Sequence, residues 1–241
     1  PVLDYLRINF AAGDPDRYAA IMGVTPQHWG QVVDNVISVV AIKQARKLAV
    51  TVNLQMVLQP KDADQIIPFA QLGKDLGVDY AIIKHCLDYE TGEVSVDYGA
   101  YARLEPILRE AAALSTPDYL VTAKWSKLLG GRERPYRRCY GPAFLLQISG
   151  TGLVAACGPK FNERFAEKCH IGNITQTPLI DMWHGHRYWE VMDYLRSPSF
   201  DVTACSPGCV QHNLNCAIDA HLKGDREIEI ISDGVGHVNF I

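Results

Sequence analysis

Six of the seven cysteines lie between residues 139 and 216: Cys139, Cys157, Cys169, Cys205, Cys209 and Cys216, with Cys86 alone upstream. An odd number of cysteines in a chain of 241 residues makes a poor disulfide scaffold, and thiols gathered in one region of a reducing compartment point to metal. Two β-like runs, residues 144–149 and 153–156, flank Gly150-Thr151-Gly152. This is a hairpin signal, because glycine accepts the positive φ angles of a tight turn. Cys139 precedes the hairpin and Cys157 follows it, so hairpin geometry brings both thiols to one end despite seventeen intervening residues. Cys205-Ser206-Pro207-Gly208-Cys209 supplies a second pair in a turn where backbone can fold closely around a ligand. Four soft ligands suit either tetrahedral zinc or an iron–sulfur cluster, and spacing alone does not choose between them. Zinc usually takes tighter knuckles than C-x3-C. A single cysteine is as readily a small buried hydrophobe as a ligand; four separated by turn residues argue for an inorganic centre. Cys169 and Cys216 stay open, although Cys216 lies among Leu214, Ala217, Ile218 and Leu222 at helical spacing, where core packing is expected.

The elements that position these residues read as α/β. Residues 6–10 form a strand pattern, 32–46 a helix (Val33, Val36, Ile37, Val40), and 50–58 a β-branched strand closed by Gln59-Pro60. A helix follows over 64–76, then a strand over 80–83, a helix over 101–114 and a strand over 119–125. Strand and helix in alternation imply right-handed crossovers and a parallel sheet or barrel. From about residue 136 the pattern changes to the hairpin, one or two helices over 178–195, and a polar tail after Gly224 that is expected to be loosely held. The domain reading is 1–130, 131–224 and a tail, 225–241. Because the first strand starts almost at residue 1, an N-terminal portion is expected to be missing from this chain. A net charge of -4 offers no basic field for nucleic acid, and apolar runs fall short of a bilayer span. A cytoplasmic protein with no nucleic-acid or membrane partner is therefore the default.

Cys139, twelve residues, Gly152, four residues and Cys157 resemble the opening of the SPASM and twitch domains of radical S-adenosylmethionine enzymes. His170-Ile171-Gly172-Asn173-Ile174, with Met182-Trp183 beyond it, is similar to the "GNI … IW" segment of those domains. Leu6 to Ala12, Tyr18 to Gly23, Asn35-Val36-Ile37 and Leu76 to Tyr80 look like strands four to six of the family's partial barrel with their helices. The resemblance spans roughly residues 5–222. It implies the C-terminal half of a partial (β/α)6 barrel followed by a small Cys-rich α+β SPASM/twitch-like domain. It further implies one auxiliary 4Fe–4S cluster on Cys139, Cys157, Cys205 and Cys209. The full-length enzyme is then expected to carry S-adenosylmethionine and a second 4Fe–4S cluster. It would take electrons from a donor such as flavodoxin or ferredoxin, cleave the cofactor reductively and abstract hydrogen from a peptide, sugar or other small molecule. The family's C-x3-C-x2-C loop and glycine-rich cofactor segment do not occur here, and neither does the full seven-cysteine pattern.

Functional side chains of such barrels sit at the C-terminal ends of strands. Asn9 is placed as a contact to the cofactor's ribose; satisfying local backbone is the plainer account. Lys84, with His85, is read as following its strand and facing a cofactor or substrate carboxylate, against a solvated pair. Trp183 is assigned to the core, His184 and His186 to the surface, and His212 to the lining of the cysteine site without ligation. The rival to the radical enzyme is a non-catalytic four-cysteine zinc-binding or scaffold module. A phosphate-binding barrel enzyme ranks last, because no glycine-rich loop follows a strand.

Overall fold

The computed structural model describes residues 3–88, 94–128, 133–205 and 209–227. They fall into two compact units, residues 3–87 with 94–128, and residues 133–205 with 209–227. The C-terminal tail from residue 228 and residues 206–208 of the Cys205–Cys209 turn lie outside the described residues.

In the first unit, β1 (Tyr5–Asn9), β2 (Thr51–Leu58), β3 (Tyr80–His85) and β4 (Leu120–Ala123) form a four-stranded parallel sheet in sequential order. Crossovers carry α1 (Pro15–Met22), α2 (Pro26–Ala45), α3 (Ile66–Asp75) and α4 (Glu105–Ala112), and the short α5 (Trp125–Leu128) follows β4. Two of these helices start on Pro at the first turn, where a missing N–H costs nothing. The Asp14 side chain caps α1 by accepting from Arg17 N, and Gly23 ends it at φ +65. The expected 32–46 helix therefore begins six residues earlier than its apolar spacing shows, at Pro26, and α1 was not foreseen. The 80–83 strand extends to His85, so Lys84 and His85 lie within β3 rather than after it.

Side chains alternate along each strand, and every second one turns toward the helices. Val52, Leu54, Met56 and Leu58 of β2 pack with Ala81, Ile83, Val121 and Ala123, under Phe69 and Ala70 of α3 and Leu108 of α4. Gly13 is required where the loop after β1 meets α3, since a Cβ there would sit 2.2 Å from the carbonyl carbon of Pro68.

In the second unit, β5 (Gln147–Ile148), β6 (Leu153–Ala155) and β7 (His170–Asn173) make an antiparallel sheet in that order. The hairpin forms as expected, with Gly152 at φ +82, although its strands are shorter than the apolar runs. The third strand, β7, coincides with the His170–Asn173 motif. Four helices accompany the sheet: α6 (Ala166–Cys169), α7 (Leu179–His184), α8 (His186–Arg196) and α9 (His212–Leu222). Val154, Ala156, Ile171, Met182, Tyr188, Val191 and Leu195 form its core. Met182, not Trp183, is the buried residue of α7. Trp183 is 39% exposed and stacks on Tyr188 with ring centroids 5.5 Å apart. One turn of helix separates a core face from a surface face by a single residue, and Trp183 falls on the outer one. Among the described residues no helix is long and apolar enough to cross a membrane.

Asn215 of α9 is almost fully buried and ties the chain on either side of the hairpin together. Its Oδ1 accepts from Tyr140 N at 2.7 Å and Gly141 N at 3.0 Å. Asn215→Leu strands both amides and is expected to destabilise the protein by about 2–6 kcal/mol, at ~1–3 kcal/mol per buried unsatisfied group. Asn215→Asp, which keeps both acceptor bonds, is expected to cost less. Urea unfolding of the two variants side by side checks the difference.

Candidate metal centre and sheet-face site

Each of the four expected ligands is positioned by a different local device. The Cys139 amide donates to the carbonyl of Leu195 at the end of α8 (3.0 Å), and Asn215 Nδ2 lies 3.5 Å from the Cys139 sulfur. Cys157 follows β6 directly, in extended conformation, and its carbonyl accepts from Lys160 N at 2.9 Å. Cys205 ends a 3-10 turn, Val202–Ala204, started by Asp201, whose carboxylate accepts from the Thr203 hydroxyl at 2.7 Å and from Thr203 N at 2.8 Å; the hydroxyl first, then the amide, hold the carboxyl below its ordinary range. Cys209 precedes α9, and its carbonyl accepts from His212 N at 3.2 Å. None of the seven cysteines is in a disulfide.

The four sulfurs are brought within reach of one another's charge. Burial pushes the Cys157 thiol up to about 12, and Cys205, Cys139 and Cys209 push in the same direction. Burial raises Cys205 to about 11, with Cys209 and Cys139 adding to it and Lys160 and Arg134 opposing. Cys139 is also raised, first by burial, while the Asn215 hydrogen bond opposes and Cys209 and Cys169 add. Among the described residues, no three His, Cys, Asp or Glu side chains are drawn together into a group of the kind that holds a single metal ion. The two cysteines left open separate clearly. Cys169 is in the core, 2% exposed, with its carbonyl bonded to Ala156 N. Cys216 sits on α9 with its sulfur 3.6 Å from His212 Nε2, and His212 Nδ1 meets Tyr136 OH at 3.2 Å. His186 is open to solvent beside Glu190.

In the first unit the sheet face turned away from the helices is polar. Tyr5, Arg7 and Asn9 alternate along β1, opposite Thr51, Asn53 and Gln55 of β2. Tyr80 pairs with Asn53, Lys84 with Val57, and the Lys124 amide donates to the carbonyl of Ile83. The Tyr5 hydroxyl donates to Asn53 Oδ1 (2.8 Å), lies 2.5 Å from the Tyr80 hydroxyl and accepts from Arg7 Nε (2.9 Å). Asn9 is exposed at the end of β1, where its Oδ1 accepts from Gln55 Nε2 at 2.7 Å. The remaining Gln55 oxygen is buried without a hydrogen-bond partner. Burial, then Arg7 and Lys124, hold the Lys84 ammonium down to about 8. This face can accept an anion at Lys84 and Lys124 and a donor at Gln55. Of its members, sequence reasoning named only Asn9 and Lys84. The signal for the others was a period of two in polar residues, Tyr5-x-Arg7-x-Asn9 and Asn53-x-Gln55.

The family model for SPASM, an iron-sulfur cluster-binding domain, matches residues 139–210. None of the curated proteins matches the chain. Among solved structures the chain is similar to Streptococcus suis SuiB bound to S-adenosylmethionine: TM-score 0.51, 13% identity, covering 76% of this chain and 42% of that one. It is also similar to SuiB bound to the precursor peptide SuiA, with TM-score 0.50 and 12% identity over the same shares. At such identity the likeness is one of fold, and the chain spans less than half the length of those structures. Residues 139–210 thus match the SPASM iron–sulfur cluster-binding domain, and the fold of the chain is similar to that of SuiB.

Proposed function

We propose that this chain is the later part of a radical S-adenosylmethionine enzyme whose second unit holds one auxiliary 4Fe–4S cluster on Cys139, Cys157, Cys205 and Cys209. The observation that supports this reading is that Cys139, Cys157, Cys205 and Cys209 all fall inside the segment that matches SPASM, with Cys139, Cys157 and Cys205 largely enclosed and raised by burial. The donor set fits such a cluster, which takes four thiolates. The boundaries 1–130, 131–224 and 225–241 and a partial-barrel architecture for the parallel sheet belong to the same proposal. When bound, S-adenosylmethionine and its own cluster supply a radical that removes hydrogen from substrate, and such chemistry is the cofactors' rather than the protein's.

This chain's residues orient and hold. Lys84, with Lys124 beside it, takes the carboxylate of the cofactor. Asn9 meets the ribose from the end of β1, held by Gln55. The Tyr5–Asn53–Tyr80 network keeps this face rigid. The peptide seen on SuiB favours a peptide as substrate here, with a flavodoxin or ferredoxin as electron donor. The rival zinc module is disfavoured by the description of the matched family.

Purified without oxygen, the protein is expected to hold iron and acid-labile sulfide in equal amounts, with a broad visible charge-transfer band. Cys157→Ser lowers the iron content several-fold, and Cys86→Ser leaves it unchanged. Colourless protein with stoichiometric zinc would eliminate the proposal. A separate outcome concerns Lys84. Its ammonium binds a carboxylate and its neutral amine does not, so affinity of the full-length protein for S-adenosylmethionine stays level below pH 8 and declines above it. Lys84→Met weakens binding about tenfold at pH 7, the ~1.5 kcal/mol of one charge-assisted hydrogen bond. Lys84→Arg moves the decline beyond pH 10. Titration calorimetry across pH reads all three.

A further inference from the structure

Lys160 is 6% exposed, in the 3-10 turn that follows Cys157. Lysine is almost never enclosed unless negative charge faces it, because taking an ammonium out of water costs several kcal/mol. Two backbone bonds fix its place: its N–H donates to the Cys157 carbonyl at 2.9 Å, and its own carbonyl lies 2.8 Å from His170 Nε2. The ammonium stands 4.0 Å from the centre of the Phe165 ring. The turn that carries Lys160 opens at Cys157, and Phe165 packs against the same small core as Cys139 and Cys205. One enclosed cation is therefore anchored beside the cysteine site.

We propose that Lys160 sets the reduction potential of the auxiliary cluster, as a fixed, enclosed cation anchored beside Cys157 that favours the reduced state. This rests on the cluster reading above. Reduction adds one electron and one negative charge to the centre, with no bond made or broken in the protein. A positive charge held in surroundings of low dielectric stabilises that added charge far more than one in water does. Removing the cation therefore makes the cluster harder to reduce. Lys168, which lies over the Tyr194 ring but is exposed, is screened by solvent and has no such leverage.

The test is a redox titration of the reconstituted full-length protein with dithionite as reductant, read by the electron paramagnetic resonance signal of the reduced auxiliary cluster. Lys160→Gln is expected to shift the midpoint to more negative potential, Lys160→Arg to restore it, and Lys168→Gln to leave it in place. Iron and sulfide are measured on every variant, so that a lost cluster is not mistaken for a shifted one. If Lys160→Gln fails to assemble, Lys160→Met, which keeps the aliphatic stem over Phe165, carries the same comparison. A midpoint unchanged in either variant at full iron content overturns the role of Lys160 and leaves the cluster reading standing. Wild-type protein that takes up no iron at the four cysteines overturns both, and does so before any substitution is made.

Discussion

A buried thiol tends to keep its proton, and Cys139, Cys157 and Cys205 are all pushed that way first by burial and then by neighbouring sulfurs. Cys209 adds to the effect on each of the three. Thiols so placed stay protonated until positive charge joins them, and metal bound there, as proposed above, would release those protons. Much of the second unit holds this arrangement in place. The end of α8 grips Cys139 through the Leu195 carbonyl, β6 delivers Cys157, and Asn215 fastens the loop after Cys139 to α9. The small core of Val154, Ile171, Met182, Tyr188 and Leu195 sets the three supports relative to one another.

The first unit solves a different problem. A parallel sheet is usually apolar on both faces because helices cover both. Here the helices of the described residues pack with Val52, Leu54, Met56 and Leu58, while the opposite face carries Arg7, Asn9, Asn53, Gln55, Lys84 and Lys124. Hydrogen bonds among Tyr5, Asn53 and Tyr80 satisfy buried polar groups at its centre, where Asn53 is fully enclosed. Polar groups on a sheet face are tolerated where they hydrogen-bond one another or meet water, as Tyr5, Asn53, Tyr80 and Asn9 do here.

Cation placement links the two readings of function. Lys84 carries its charge at the edge of neutrality because burial and two neighbouring cations oppose it. Lys160 is enclosed in the turn that follows Cys157. In the proposals above, the same side-chain type captures an anion in one unit and steadies a negative centre in the other.

Composition, spacing and periodicity determined a good deal without coordinates. The alternation of strands and helices and the glycine hairpin are local or nearly local patterns, and both survive in the fold. Helix starts at Pro15 and Pro26 were also present as Asp14-Pro15 and Thr25-Pro26, but apolar spacing pointed further along the chain. What only the tertiary structure decided is which side chains meet. Asn215 of α9 reaches the amides of Tyr140 and Gly141, 75 and 74 positions away, a meeting that no local period encodes. Lys160, Asn215 and the partners of Asn9 were invisible for the same reason: a lone Lys or Asn in sequence acquires meaning only from the distant groups that bury it.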